Sequence, residues 1–459
     1  MKPRRTSIHG EWSSRLGFIL AAAGSAIGLG NIWKFPYLAG ENGGGAFVLI
    51  YLACVAFVGV PIMIAEIMLG RRGRQNPLNT MATLAQEEGR SRAWRWLGGC
   101  GVLAGFLILS YYSVVAGWTL AYIFRAAGGA FTGLDAAGIG AAFDGFTADP
   151  EKLLAWHTIF MVMTVIVVAR GVQSGLEQAN RYMMPALFVL LLILIGYALN
   201  TGYFTRGLEF LFTPDFSKIT GWGVLAAVGQ AFFSLSLGMG AIMVYGSYLS
   251  HNASIARSAA YVAAADTTVA VLAGVAIFPI IFANGLEPAQ GVGLAFKVLP
   301  LAFGQMPGGA FFGTVFFVLL LFAAWTSSIS LIEPAVAWLV ENRGMTRVKA
   351  STLVGIVIWC LGIGCVLSFN LWSGFKPVGG LTLFDAVDFL TSNIMLPLGG
   401  LLIAVFAGWS MSERSSREEL AFKSEAAYRV WQLLVRYVTP VAVIALLLNV
   451  TGLMQRLLG

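Results

Sequence analysis

Charge is scarce in this sequence: only 11% of its 459 residues are Asp, Glu, Lys or Arg, against roughly 25% in a soluble globular domain. A chain this poor in charge cannot clothe a water-facing surface, which excludes an ordinary soluble enzyme or binding module. Histidine is equally sparse. His9, His157 and His251 lie far apart and flank apolar runs, so no metal centre and no nucleophile–base pair is suggested, and we do not read the chain as an enzyme. The four cysteines, Cys54, Cys100, Cys360 and Cys365, sit in or at the edge of apolar runs without zinc-like spacing; we read them as packing residues. The opening Lys2-Pro3-Arg4-Arg5 has the charge of a secretory or twin-arginine leader. The run after it is too long, is broken by Gly and Asn, and has no small-residue cleavage site before the next run.

What the chain has is apolar length. Hydrophobic residues make up 58%, in runs of about 20 that leave no room for a separate soluble domain. The runs predict spans near 12–38, 44–70, 93–125, 154–171, 178–200, 221–249, 256–283, 308–341, 347–369, 383–411 and 430–455. The expectation is an all-α polytopic membrane protein with about eleven transmembrane helices, a single transporter domain over 1–459. The formal charge of +7 does not indicate nucleic acid, because the basic residues fall in alternate loops. Arg4 and Arg5 precede the first span, Arg71, Arg72, Arg74, Arg90, Arg92 and Arg95 follow the second, Arg343, Arg347 and Lys349 the eighth, and Arg414, Arg417 and Lys423 the tenth. By the positive-inside rule these loops are cytoplasmic, with the N-terminus inside and the C-terminus outside the plasma membrane that the protein spans.

Two runs are interrupted. Gly24-Ser25-Ala26-Ile27-Gly28-Leu29-Gly30-Asn31 breaks the first, and Ser234-Leu235-Ser236-Leu237-Gly238-Met239-Gly240 breaks the sixth. Five spans apart, they enter the membrane from opposite sides. This predicts a 5+5 inverted repeat, about 12–200 and 221–411, with broken helices 1 and 6 and one extra helix at about 430–455. Such breaks frame a midplane binding site. The alternative is that Gly24 and Gly28, a small-xxx-small pair, merely let two helices pack closely.

Charge inside apolar runs calls for a partner or a role, and Glu66, Asp266, Glu333, Asp385 and Asp388 all stand there. Asp266 has no basic residue within a turn or two, which makes a cation its economical partner. Thr326-Ser327-Ser328 in the eighth run suggests an oxygen cage for a small hard ion. Hydroxyls that bond back to carbonyls one turn earlier are the alternative. A zwitterionic amino acid suits this centre, its carboxylate on the N–H groups of one break and its ammonium on the carbonyls of the other.

Three stretches, Arg15-Leu16-Gly17, Gly28 to Tyr37 and Glu41 to Phe47, resemble the neurotransmitter:sodium symporter family. So do Tyr111-Tyr112, Gln230 to Gly240 and Thr326-Ser327-Ser328, and the resemblance is nearest to the bacterial members that carry amino acids. It implies two sodium sites, no organic cofactor and no obligatory protein partner. The first site would use Ala26, Asn31, Ser234 and Asp266, and the second Gly24, Ile27, Ala323, Thr326 and Ser327. The implied substrate residues are Ser25, Ala26, Leu29, Gly30, Ile108, Tyr112, Phe233, Ser234, Ser236, Met239, Ser327 and Leu331. Gates would pair Lys34 with Asp388 at the outer end, and would use Tyr248 and Glu341 at the inner end. There His9 stands where the family often has arginine, a place that Arg4 or Arg5 could fill.

The activity implied is sodium-coupled import of neutral, mainly hydrophobic L-amino acids across the lipid bilayer by alternating access. Gly28 stands where amine carriers of the family have aspartate, which points to a substrate that brings its own carboxylate. Asp266 stands where many relatives have asparagine, and a fixed carboxylate there would make transport chloride-independent. Met239, a flexible thioether, suggests broad selectivity. Gly175 and Pro185, with nine residues between them, suggest that the inner end of the fifth span unwinds to open the second sodium site to water. The alternatives are a proton-coupled or exchange carrier on the same scaffold, in which Asp266 or Glu66 titrates, and a non-transporting amino-acid sensor.

Overall fold

The computed structural model describes residues 5–287 and 293–452; the leader-like Lys2 to Arg4, and the end of the last expected span at 453–455, lie outside them. Among the described residues, nine helices are long and apolar enough to cross a membrane: Gly45–Gly73, Arg92–Ala127, Pro150–Ala169, Val172–Leu199, Ile255–Ala283, Gly309–Arg343, Arg347–Leu367, Leu383–Ser410 and Glu425–Val450. These are spans 2 to 5 and 7 to 11. Span 1 is a bent pair, Arg15–Ala26 and Gly30–Glu41, with 55° between its halves. Span 6 also comes in two pieces, Gly221–Ser234 and Ala241–Ser247. The protein is therefore an integral membrane protein with broken first and sixth helices, as the interrupted runs predict.

Local chemistry sets where the helices begin. Ser14, Asp149, Thr220, Ser254, Thr346 and Thr382 each accept a backbone N–H of the first turn of spans 1, 4, 6, 7, 9 and 10, satisfying a donor that the helix leaves free. Pro150 follows its cap at the first helical position, where a missing N–H does no harm. Short helices cover both ends. Pro77–Glu87 and Glu413–Leu420 lie at the end that carries the basic loops, the basic end. Ala136–Thr147, Phe204–Phe212 and Leu294–Gln305 lie at the opposite end.

Span 8 is the centre of the bundle and span 11 its periphery: 83% of the most apolar window of span 8 is buried inside the protein, but 22% of that of span 11. Glycine permits the close approach of span 2 to the second half of span 6. A Cβ on Gly70 would stand 1.9 Å from the Met243 carbonyl oxygen, and one on Gly246 would stand 2.8 Å from that of Ile67. Backbone against backbone leaves nothing that can yield, so Gly70→Val should force the two segments apart. We expect a loss of about 3 kcal/mol or more, read as a collapse of the monodisperse, folded fraction of detergent-solubilised protein.

Candidate functional site

The helical ladder of span 1 stops at Ile27, whose backbone is extended at ψ 105°. In span 6 it stops after Ser234, and the chain turns through Ser236, Gly238 and Gly240 with φ of 53°, 79° and 76°. Ser236 holds a left-handed conformation that side chains rarely adopt, which marks a site over-determined by its surroundings. The two breaks satisfy each other. Ser236 donates to the Ser25 carbonyl at 2.7 Å, and Gln230 donates to that of Gly30 at 2.9 Å. The Gly28 N–H reaches the Asn31 side-chain oxygen at 3.0 Å, and the Leu29 N–H reaches the Tyr112 hydroxyl at 3.3 Å.

Around these breaks the structure assembles three groups of residues. In the first, Asp266 is fully buried on span 7. Its carboxylate accepts from Asn31 Nδ2 at 2.7 Å, Ser234 Oγ at 2.6 Å and Tyr51 OH at 3.4 Å. Three neutral donors disperse the charge without cancelling it, so a small cation joining this cluster would gain both Coulomb attraction and oxygen ligands. Tyr51, from span 2, is a member that sequence reasoning missed. One tyrosine in an apolar run gives no signal until the fold sets it against Asp266.

In the second group, Ser327 Oγ lies 3.4, 3.2 and 3.2 Å from the carbonyl oxygens of Gly24, Ser25 and Ile27. Thr326 Oγ1 lies one helical turn above the carbonyls of Phe322 and Ala323, at 3.0 and 3.1 Å. The expectation of three hydroxyls facing the breaks needs correction. Ser328 turns away to Thr164 on span 4, at 2.9 Å, because three consecutive residues cannot share one face of a helix. Ser330 faces the breaks in its place, accepting from Ser25 Oγ at 2.7 Å.

The third group is a cavity between the two ion-like clusters. It is lined by Ser25, Ala26, Gly28, Leu29, Gly30, Ile108, Tyr112, Phe233, Ser236, Met239, Ser327 and Leu331, and its volume of about 20 Å³ suits a water. A larger occupant would have to move Ile108, Met239 or Leu331. Ser234, expected among the lining residues, belongs to the Asp266 cluster instead. A Cβ on Gly28 would stand 2.7 Å from Ser327 Oγ and 3.0 Å from the Tyr112 hydroxyl, so a side chain there would first have to displace those hydroxyls. Gly24 and Gly28 do permit close packing, as the small-xxx-small reading has it, but what they pack against is polar.

The expected gates differ in part from the structure. Lys34 and Asp388 form no direct ion pair among the described residues. The Lys34 ammonium sits over the Phe233 ring, 4.4 Å from its centroid, while Asp388 accepts from Ser392 at 2.8 Å. Tyr248 bonds to Glu333 at 2.8 Å, not to Glu341. Glu333 is fully buried and also pairs with Arg347 of span 9. Glu341 meets His9 at 3.1 Å and accepts two bonds from the Asn76 side chain and backbone. Arg5 turns to Glu87, and Arg4 is outside the described residues. The arginine that meets a buried glutamate at this end is Arg347, which the sequence offered only as a loop charge, while His9 itself meets Glu341.

A bundle with two broken helices crossing near its midplane, an uncompensated carboxylate at one break and a carbonyl–hydroxyl cage at the other is the architecture of a secondary transporter. Residues 9–132 and 148–457 match the Sodium:neurotransmitter symporter family, and the chain belongs to it, a family of sodium-coupled transporters and not of enzymes. It is 41% identical to YhdH, an uncharacterized sodium-dependent transporter of Bacillus subtilis, across 97% of this chain and 98% of that one. It is 34% identical to an uncharacterized sodium-dependent transporter of Haemophilus influenzae, across 95% and 97%. The crystal structure of MhsT in complex with L-phenylalanine superposes with a TM-score of 0.89 at 43% identity, covering 96% of this chain and 99% of that one.

The Glu333–Arg347 pair supplies a test at the basic end. Removing one partner of a buried pair leaves a charge unmet, at about 3–5 kcal/mol, whereas removing both costs less. Glu333→Ala should therefore lower the thermal midpoint in detergent sharply. The double variant Glu333→Ala/Arg347→Ala should recover part of that loss, a coupling that a double-mutant cycle reads directly.

Proposed function

We propose that this protein imports neutral, mainly hydrophobic L-amino acids into the cell, coupled to two sodium ions and without a need for chloride. The observation that carries this reading is the position of Asp266. It is buried, met only by neutral donors, and linked through Asn31 to the Gly28 N–H that lines the cavity. A sodium ion between Asp266, Asn31, Ser234 and the Ala26 carbonyl would sit beside the substrate carboxylate, held in turn by the Leu29 N–H and Tyr112. Each would raise the other's affinity, and by linkage that mutual gain is the coupling. The second ion would take the carbonyls of Gly24, Ile27 and Ala323 with the hydroxyls of Thr326 and Ser327.

Selectivity follows from the other end of the cavity. Ile108, Met239 and Leu331 offer apolar surface, worth about 25 cal/mol per Å² buried, and no partner for a charged side chain. The L-phenylalanine in complex with MhsT is an amino acid of this chemical kind. The basic end would face the cytoplasm of a bacterial cell, with the N-terminus inside and the C-terminus outside. Alternating access would then open the basic end by breaking its contacts at Glu333 and Glu341. A proton-coupled or exchange carrier is the second reading, and Glu66 is the group that favours it. Fully buried, it accepts from the Gly238 N–H at 2.8 Å through one oxygen, while the other has no hydrogen-bond partner among the described residues.

Uptake of radiolabelled phenylalanine, leucine and lysine into proteoliposomes separates these readings. An inward sodium gradient should drive saturable accumulation of the first two but not of lysine, and Asn31→Ala and Thr326→Ala should each cut it by about tenfold or more. Accumulation that follows a proton gradient in the absence of sodium would sink the reading in favour of the second. Replacing chloride by gluconate should leave the rate unchanged, since the Asp266 carboxylate supplies the fixed negative charge. A collapse of uptake would show that an anion is required after all.

A further inference from the structure

Span 5 carries a polar group that the site described so far does not use. Asn180 lies between Gly175 and Pro185 and is fully buried. Its amide nitrogen donates one turn back to the Leu176 carbonyl at 2.8 Å, but its oxygen has no hydrogen-bond partner among the described residues. That oxygen is aimed at the break of span 1. A Cβ on Gly24 would stand 1.9 Å from Asn180 Oδ1 and 3.2 Å from the Thr326 Cβ. Asn180 and Thr326 thus converge on Gly24, which has no side chain to keep them apart. Gly24 is also where Ser327 Oγ meets the carbonyls of the cage.

A lone buried acceptor is unfavourable unless something electron-poor meets it. The Thr326 and Ser327 hydroxyls beside Gly24 already donate to carbonyls, and among the described residues no donor meets Asn180 Oδ1. A cation held by the neighbouring carbonyls does, because sodium is a hard ion that collects neutral oxygens. We propose that Asn180 Oδ1 is a further ligand of the ion at the second sodium site, one that span 5 carries and withdraws. The inference rests on the sodium-coupled reading above.

The surroundings of Asn180 suit such a withdrawable ligand. Span 5 begins at Gly171 with φ 95°, then winds as a wide π-helix over Val172–Glu177 before the regular helix resumes. Such loosely wound turns often accompany function. Pro185, five residues beyond Asn180, removes a further backbone donor from the helix. Unwinding between Gly175 and Pro185 would carry the Asn180 oxygen away from Gly24. The ion would lose a ligand at the moment water gains access to it, so release to the basic end would be tied to the movement of span 5.

The test is equilibrium binding of ²²Na⁺ to the purified full-length protein, with sodium-dependent L-phenylalanine binding measured in parallel. Asn180→Ala should weaken sodium about tenfold while phenylalanine affinity at saturating sodium stays within about twofold of wild type. Asn180→Asp keeps the oxygen and adds charge, and should bind sodium more tightly than wild type. Wild-type sodium affinity in Asn180→Ala would overturn the proposal, leaving Asn180 as a packing residue or the partner of a buried water. If Asn180→Ala does not fold, Asn180→Asp decides: weaker or unchanged sodium binding counts against the ligand role, and tighter binding supports it. A wild-type protein that binds phenylalanine without sodium would overturn the transport reading and this inference together, an outcome distinct from a silent Asn180→Ala.

Discussion

The constraint on which the structure depends is the satisfaction of backbone polar groups where two membrane helices are interrupted. In hydrocarbon each free N–H or C=O costs several kcal/mol, so a broken helix persists only where neighbours or ligands complete it. Here each break is completed largely by the other. Ser236 and Gln230 of span 6 bond to carbonyls of span 1, Glu66 of span 2 takes the Gly238 N–H, and Asn31 and Tyr112 take the first N–H groups beyond the span 1 break. The groups that close the gap are also those a polar solute would use. Structural completion and ligand binding are therefore alternatives at the same atoms, and such a site can exchange one for the other at small net cost.

The two ends of the bundle are held with different strength. At the basic end Trp12 bonds to the Tyr245 carbonyl, Arg74 to Glu11 and to the Ser247 carbonyl, and Arg71 to Glu419 and the Ala253 carbonyl. Glu333 and Glu341 add the contacts to Tyr248, Arg347, His9 and Asn76. These bonds tie the N-terminal segment to spans 2, 6, 8 and 9, and where both partners are buried, as at Tyr248 and Glu333, the bond is stronger than it would be at a surface. At the opposite end the Phe233 ring with the Lys34 ammonium above it covers the cavity, and Asp388 stands apart from Lys34. The basic end is held by ion pairs, whereas the contact above the cavity is that of the Lys34 ammonium with the Phe233 ring.

Much of this architecture was legible in the residues. The apolar runs mark the spans, and the glycines of residues 24–30 and 238–240 mark the breaks, because both signals are local: length against bilayer thickness, and the absence of side chains. The long motifs around Gly28 to Tyr37 point to the family for the same reason. The partners of Tyr51, Ser330 and Arg347 were not legible, since each is an ordinary residue in its own helix and acquires its partner only from another span. The bond from Tyr248 to Glu333 was not legible either, because Glu333 and Glu341 lie on one helix and only its rotation in the bundle decides which one faces span 6. Ser328 shows the same limit: the hydroxyl triplet is visible in the sequence, but its splay around span 8 is a matter of helical geometry in a packed bundle.

What the sequence by itself determined is thus the membrane class, the order of spans, the two interrupted helices and the residues at the breaks. These follow from composition and short-range pattern, which the bilayer reads without regard to distant neighbours. Only the tertiary structure decided how the polar groups pair: that Asp266 rests on Asn31, Ser234 and Tyr51, that Arg347 reaches Glu333, and that the Asn180 oxygen is left facing Gly24. Buried polar pairing depends on distances and angles of a few tenths of an ångström between spans far apart in the chain. No local pattern of residues carries that information.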